Sequence, residues 1–99
     1  MIENLLKKIR ERKTSNPDKS YTSSLLSGGL EKCIGKLEEE FNELKEALNK
    51  KNNEVHETAD VIYHLLVALE AANIKFEDVL KELEKRKGLS GIEEKNNRK

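Results

Sequence analysis

Leu30-Glu31-Lys32-Cys33-Ile34-Gly35-Lys36-Leu37-Glu38-Glu39-Glu40-Phe41-Asn42-Glu43-Leu44-Lys45-Glu46-Ala47-Leu48 places large apolar side chains at 30, 34, 37, 41, 44 and 48. The intervals run 4, 3, 4, 3, 4. That keeps all six on one stripe of an α-helix and suits packing against a second helix. The polar run Asn49-Lys50-Lys51-Asn52-Asn53 follows as a turn, in which Asn52 or Asn53 can cap the next helix. That helix spans about Glu54–Ala72. It is amphipathic in its first half and apolar nearly all round from Val61 onward, the pattern of a helix covered on several faces. A turn this short favours an antiparallel hairpin.

Outward from the hairpin the remaining elements are shorter. A helix near Ile2–Lys13 carries Ile2, Leu5, Leu6 and Ile9 on one stripe. Pro17 disfavours helix at Asn16, so Thr14-Ser15-Asn16-Pro17-Asp18-Lys19 is a break. Ser20-Tyr21-Thr22-Ser23-Ser24 continues it and can start a short helix through Leu25 and Leu26, before a hinge at Gly28-Gly29. Asn73 suits a left-handed cap. A last helix, about Phe76–Lys87, is expected to turn Phe76, Val79, Leu80 and Leu83 inward and to end at Gly88. The expected fold is all-α: a small bundle of four to five helices around a central antiparallel hairpin. Residues 1–87 form the domain and residues 88–99 a polar tail.

Bulk properties narrow the function. Lys+Arg and Asp+Glu number 19 each, so no net charge attracts nucleic acid or an anionic membrane. Charged residues are 38% of the chain and aromatics 4%, which fits long solvated helices. A chain of this size buries roughly 60–65% of its unfolded surface when folded alone, and self-association would enlarge that core. The single cysteine, Cys33, excludes an internal disulfide and reads as a small buried hydrophobe in a reducing cytosol. No run approaches the roughly 20 apolar residues of a membrane span, so a cytoplasmic setting is expected.

The chemistry lies in the acids. Asp60 sits in the most apolar stretch, Ala59-Asp60-Val61-Ile62-Tyr63-His64-Leu65-Leu66. A carboxylate on such a helix pairs, shifts its pKa or binds a metal. Pairing with a lysine such as Lys36 is the plain alternative. Glu57 lies three residues before Asp60, and Glu40 and Glu43 repeat that spacing upstream. At about 100° per residue, Lys36, Glu40 and Glu43 fall within roughly 60°, as do Glu57, Asp60 and His64. Helix axes about 8–10 Å apart let the two stripes converge on one or two ions. A Glu-rich helix is ordinarily a solvated face; two pairs on one hairpin favour a site. Mg²⁺ prefers such oxygen ligands. No Gly-x-Ser-x-Gly, P-loop, Rossmann or zinc pattern is present, and Cys33 has no histidine nearby in sequence. Carboxylates without a nucleophile suggest metal-assisted attack by water on a polyphosphate.

Glu40-x-x-Glu43, thirteen residues, then Glu57-x-x-Asp60 resembles the signature of the all-α nucleoside triphosphate pyrophosphohydrolases, the MazG-like superfamily. Ser20-Tyr21-Thr22, Ala59-Asp60-Val61-Ile62-Tyr63-His64-Leu65-Leu66-Val67 and Ser90-Gly91-Ile92-Glu93-Glu94-Lys95 look like segments of the phosphoribosyl-ATP pyrophosphohydrolases of histidine biosynthesis. Gly35-Lys36-Leu37-Glu38-Glu39-Glu40 departs from the family's Lys-Lys-x-Gly-Glu-Glu. The resemblance implies hydrolysis of 1-(5-phosphoribosyl)-ATP to 1-(5-phosphoribosyl)-AMP and pyrophosphate by a homodimer. It implies Mg²⁺ held by Glu40, Glu43, Glu57 and Asp60, with Glu39 or a ligand's free oxygen positioning the water. Tyr21, Thr22, Lys32, Lys36 and His64 are candidate substrate contacts. Ser90, Gly91, Glu93, Lys95 and Arg98 are candidates to close over the phosphoribosyl end. A housecleaning nucleotide pyrophosphohydrolase and a non-catalytic helical interaction module are the alternatives.

Overall fold

The computed structural model describes residues 1–87, and within them there are five helices and no strand. They are α1 (Ile2–Arg12), α2 (Tyr21–Ser27), α3 (Leu30–Lys50), α4 (Glu54–Ala71) and α5 (Phe76–Arg86). α3 and α4 form the hairpin, and α1 and α2 pack on α4. The core gathers Leu6 and Ile9 of α1, Leu25 of α2, Cys33 of α3, and Leu66, Val67 and Ala68 of α4. It therefore sits at the C-terminal half of α4, and the N-terminal half is left for polar chemistry. Cys33 is buried as expected, with Sγ 3.4 Å from the Leu25 carbonyl oxygen. Among the described residues no helix is long and apolar enough to cross a membrane.

Backbone reversals at the two turns use left-handed residues. Lys51 (φ 57°) and Asn53 (φ 64°) bend the chain between α3 and α4. Asn53 holds the N-cap position of α4, but its side chain makes no capping bond; its carbonyl accepts from the Glu57 N–H instead. α4 ends on Asn73 (φ 60°), where Ile74 N–H bonds the Leu69 carbonyl and Asn73 N–H that of Glu70, a Schellman closure. Ser20 caps α2, its Oγ accepting from the Ser23 N–H.

Two packing expectations are corrected. The stripe read on α3 is only partly covered: Leu37 and Leu44 are half-buried, whereas Leu30, Ile34, Phe41 and Leu48 are exposed. Besides Lys36, the less accessible positions are Cys33, Leu37, Glu40, Leu44 and Ala47. These are also spaced 4, 3, 4, 3, and the small Cys33 and Ala47 let α4 approach closely. The hairpin register thereby turns Glu40 inward. On α5, Leu80 (44% exposed) and Leu83 (56%) do not point into the core. Only Phe76 packs against it, and Val79 is half-buried. An ion pair holds α5 instead: both Arg10 terminal nitrogens donate to the Glu77 carboxylate, at 3.0 and 2.6 Å. That contact lowers the Glu77 carboxyl to about 2. The expected helix end at Gly88 and the tail lie outside the described residues.

Candidate active site and metal centre

Glu40 and Glu43 are brought by α3, and Glu57 by the first turn of α4. One ligand oxygen from each of the three lies within 4.8 Å of the others. Oxygens on opposite sides of an octahedral Mg²⁺ stand about 4.2 Å apart, twice the usual bond length, so small side-chain movements would close the set. Glu40 Oε2 and Glu57 Oε2 are both buried without a hydrogen-bond partner. Burial raises the Glu40 carboxyl above the ordinary carboxylate range, and the neighbouring Glu43 adds hydrogen bonding and repulsion in the same direction. Glu57 is raised for the same reasons in the same order. Orphaned anionic oxygens that resist ionisation call for positive charge. Among the described residues no lysine or arginine pairs with either acid, so the donor set fits a hard divalent cation.

Asp60 belongs to a neighbouring group. Its Oδ2 lies 3.3 Å from His56 Nε2, and His56, Glu57 and Asp60 form a second set of ligand atoms within 4.8 Å. Asp60 adds to the repulsion felt by Glu40, so the two groups share one field. The expected alternative partner, Lys36, instead binds Glu39 at 3.1 Å. His56 does not stand out in the sequence because it sits in a polar first turn. Its i, i+4 spacing to Asp60 is the signal that could have found it.

A second layer connects α2 to α4. His64 Nδ1–H donates to the Asp60 carbonyl at 2.8 Å, which leaves Nε2 to accept from the Tyr21 hydroxyl at 3.0 Å. One tautomer, protonated on Nδ1, satisfies both bonds. Thr22 Oγ1 bonds the Tyr63 hydroxyl. Tyr21 and Tyr63 stack with ring centroids 6.3 Å apart, and His64 meets both edge-on. Burial raises the Tyr21 hydroxyl pKa; Lys36 opposes the shift, while Tyr63, Glu40 and Glu39 add to it. Tyr21, His64, Lys36, Glu39 and Glu40 thus sit in one neighbourhood. Lys32 stands apart from it, its stem crowding Gly28, where an added Cβ would meet Lys32 Cδ at 2.2 Å. Ser90, Gly91, Glu93, Lys95 and Arg98 lie outside the described residues.

A cavity of about 330 Å³ opens beside the acids, lined by Glu43, Glu46, Lys50, Asn53 and Glu57 among others. A larger one, about 690 Å³, lies at the far end of α4. Its Arg10 is already committed to Glu70 and Glu77.

An all-helical scaffold whose hairpin gathers unpartnered carboxylates suits a phosphohydrolase that uses a divalent metal. The comparison with known sequences narrows the class. Residues 2–87 match the model of the phosphoribosyl-ATP pyrophosphohydrolase family, and the chain belongs to that family. It is 44% identical to the phosphoribosyl-ATP pyrophosphatase of Rhizobium etli, covering 91% of this chain and 86% of that protein. Identity to the phosphoribosyl-ATP pyrophosphatase of Roseobacter denitrificans is 43%, over 98% and 94%. It also matches the histidine biosynthesis bifunctional protein HisIE of Helicobacter hepaticus, 43% identical over the whole of this chain and 44% of that protein. Phosphohydrolases of this kind typically need a divalent metal.

Proposed function

We propose that this chain hydrolyses 1-(5-phosphoribosyl)-ATP to 1-(5-phosphoribosyl)-AMP and pyrophosphate, a step of histidine biosynthesis, with Mg²⁺ as the cation. The family and the names of the relatives supply the substrate. The observation that carries the mechanism is the pair of buried, unpartnered oxygens on Glu40 and Glu57. Glu40, Glu43 and Glu57 would hold the cation, with Asp60 at its edge. Bound Mg²⁺ orients the triphosphate oxygens and offsets the charge that develops on the departing pyrophosphate.

The chain's own groups do the rest. Glu39, fixed by Lys36, positions the attacking water, and Lys36 contacts a phosphate oxygen once substrate competes for it. Tyr21 and Thr22 border the substrate, and His64 orients Tyr21 rather than reacting itself. The tail residues Ser90, Gly91, Glu93, Lys95 and Arg98 close over the phosphoribosyl end. The exposed row Leu30, Ile34, Phe41 and Leu48 on α3 is the surface that a second copy covers, making a homodimer. A cytoplasmic setting suits such an enzyme.

The test is pyrophosphate release from phosphoribosyl-ATP, with Mg²⁺ and with chelator, beside a panel of noncanonical nucleoside triphosphates. Mg²⁺-dependent release with phosphoribosyl-ATP preferred is expected. Preference for a panel member would move the chain to the housecleaning reading, and no release from any substrate would remove the catalytic one.

A further inference from the structure

Outside the carboxylate centre, bordered by Tyr63 of the Tyr21–Tyr63 stack, α1 and the start of α2 enclose a groove of about 300 Å³. Its walls are Leu5, Lys8, Ile9 and Arg12 from one face of α1, then Lys19, Ser20, Thr22 and Tyr63. Three cations line it and no acid does. Among the described residues Lys8, Arg12 and Lys19 make no ion pair, whereas Arg10, Lys13, Lys36 and Lys50 each lie within 4 Å of a carboxylate. Basic residues in the last turn of a helix complement its dipole, which accounts for Arg12. It does not account for Lys8, one turn earlier, where like charges at i, i+4 repel. Nor does it account for Lys19, which lies beyond the helix.

The hydroxyls complete the set. Ser20 Oγ accepts from the Ser23 N–H, so its own proton remains to be donated. Thr22 and Tyr63 carry two hydroxyl protons between them and use one in their mutual bond. The groove therefore offers three cations and two free O–H donors, and the Arg12 backbone is tied down by Ser23 Oγ, which donates to its carbonyl at 2.5 Å. Such a donor set, with no acceptor charge, is complementary to a phosphate monoester. The volume lies at the small end of ligand sites and suits a sugar phosphate.

We infer that this groove is a phosphate-monoester seat and, resting on the reaction proposed above, that it takes the 5-phosphate of the phosphoribosyl group. The substrate would then span the Tyr21–Tyr63 wall, triphosphate on the acidic side and monoester on the basic side. Specificity for a nucleotide carrying a second, distal phosphate follows directly.

Ribose 5-phosphate is the probe, with ribose and inorganic phosphate as comparisons. In amide NMR of the full chain, ribose 5-phosphate is expected to shift residues 8, 12, 19 and 22, and ribose is not. Arg12→Gln and, separately, Lys8→Gln should raise KM for phosphoribosyl-ATP at least tenfold with kcat changed less than threefold, and should abolish the ribose 5-phosphate shifts. Arg12→Lys should restore part of the affinity, which a merely structural role would not predict. Shifts with an inactive wild type would support the seat while removing the proposed substrate. Absence of shifts in the wild type, or an unchanged KM in both glutamine variants, overturns the inference. An effect of Arg12→Gln on kcat alone also overturns it.

Discussion

Replacing Glu40 by Gln separates what this residue does for the fold from what it does for the reaction. The side chain keeps its shape and loses its charge. In the native protein Glu40 Oε2 is buried without a partner and Glu43 crowds it. The amide removes the repulsion from Glu43 and its NH2 can donate to that carboxylate; a net hydrogen bond contributes about 0.5–1.5 kcal/mol, so a gain of about 1 kcal/mol is expected. For a chain of 99 residues that raises Tm by about 4–8 °C. Metal reverses the ranking. A cation at one hundred times its dissociation constant adds about 2.7 kcal/mol, so wild type should gain roughly 10–20 °C in Mg²⁺. The variant should gain little, and its pyrophosphate release should fall at least about 100-fold. Scanning calorimetry of both proteins in EDTA and in excess MgCl₂ reads this as a crossing of order: variant above wild type without metal, below it with metal. A variant that melts lower than wild type in EDTA, or that keeps the full Mg²⁺ increment, refutes the reasoning.

The same acids set the pH dependence. Glu40 and Glu57 titrate above their unfolded value of about 4.5, so the folded state binds the extra protons, and their stabilisation is present at acid pH and lost as pH rises through the raised values. Glu77 works oppositely, its contribution present above the ordinary carboxylate range and lost as pH falls toward about 2. Metal-free wild type should therefore melt higher in mildly acidic than in neutral buffer, a difference that Glu40→Gln reduces; equal Tm values in both buffers would contradict the raised carboxyls. Ser23→Ala removes one of the two donors to the Arg12 carbonyl, which keeps the Ser15 N–H, and should cost about 1 kcal/mol in urea unfolding, with an unchanged midpoint counting against that bond. Phe41→Asp puts a charge in the exposed apolar row and should convert dimer to monomer in sedimentation equilibrium, while a wild type that is already monomeric removes the proposed interface.

Why some of this was readable and some not comes down to what periodicity can report. Helix positions followed from spacing alone: the stripe of α3, the polar turn and the apolar body of α4 predict a hairpin, and a hairpin is present. Which face of α3 meets α4 did not follow. The helix carries two 4-3 stripes that share Leu37 and Leu44, one completed by large apolar residues (30, 34, 41, 48) and one by Cys33, Glu40 and Ala47. A search for hydrophobic seams picks the first, yet the small residues of the second allow the closer approach. Leu80 and Leu83 misled in the same way. Their spacing shows that the face of α5 is apolar, not that anything within the chain covers it. The left-handed Lys51 is invisible for a different reason: the αL region is reached there by an ordinary residue, under the constraint of the packed helices around it.

The corrected register also changes what Glu40 means. On the stripe read from sequence it flanks the packing surface, where a carboxylate is cheap. In the structure it stands on the packing surface itself, between Leu37 and Leu44, where a carboxylate with a bare oxygen weakens the hairpin. A methyl-bearing residue would pack better at that position. Local rules are broken at a cost to stability chiefly where a site demands it, and here the break sits opposite a second one, Glu57, on the partnering helix. Two violations facing each other across one gap are not independent accidents of composition. Under the proposed function both are complementary to one bound cation, and binding it would return part of the stability that the two carboxylates cost.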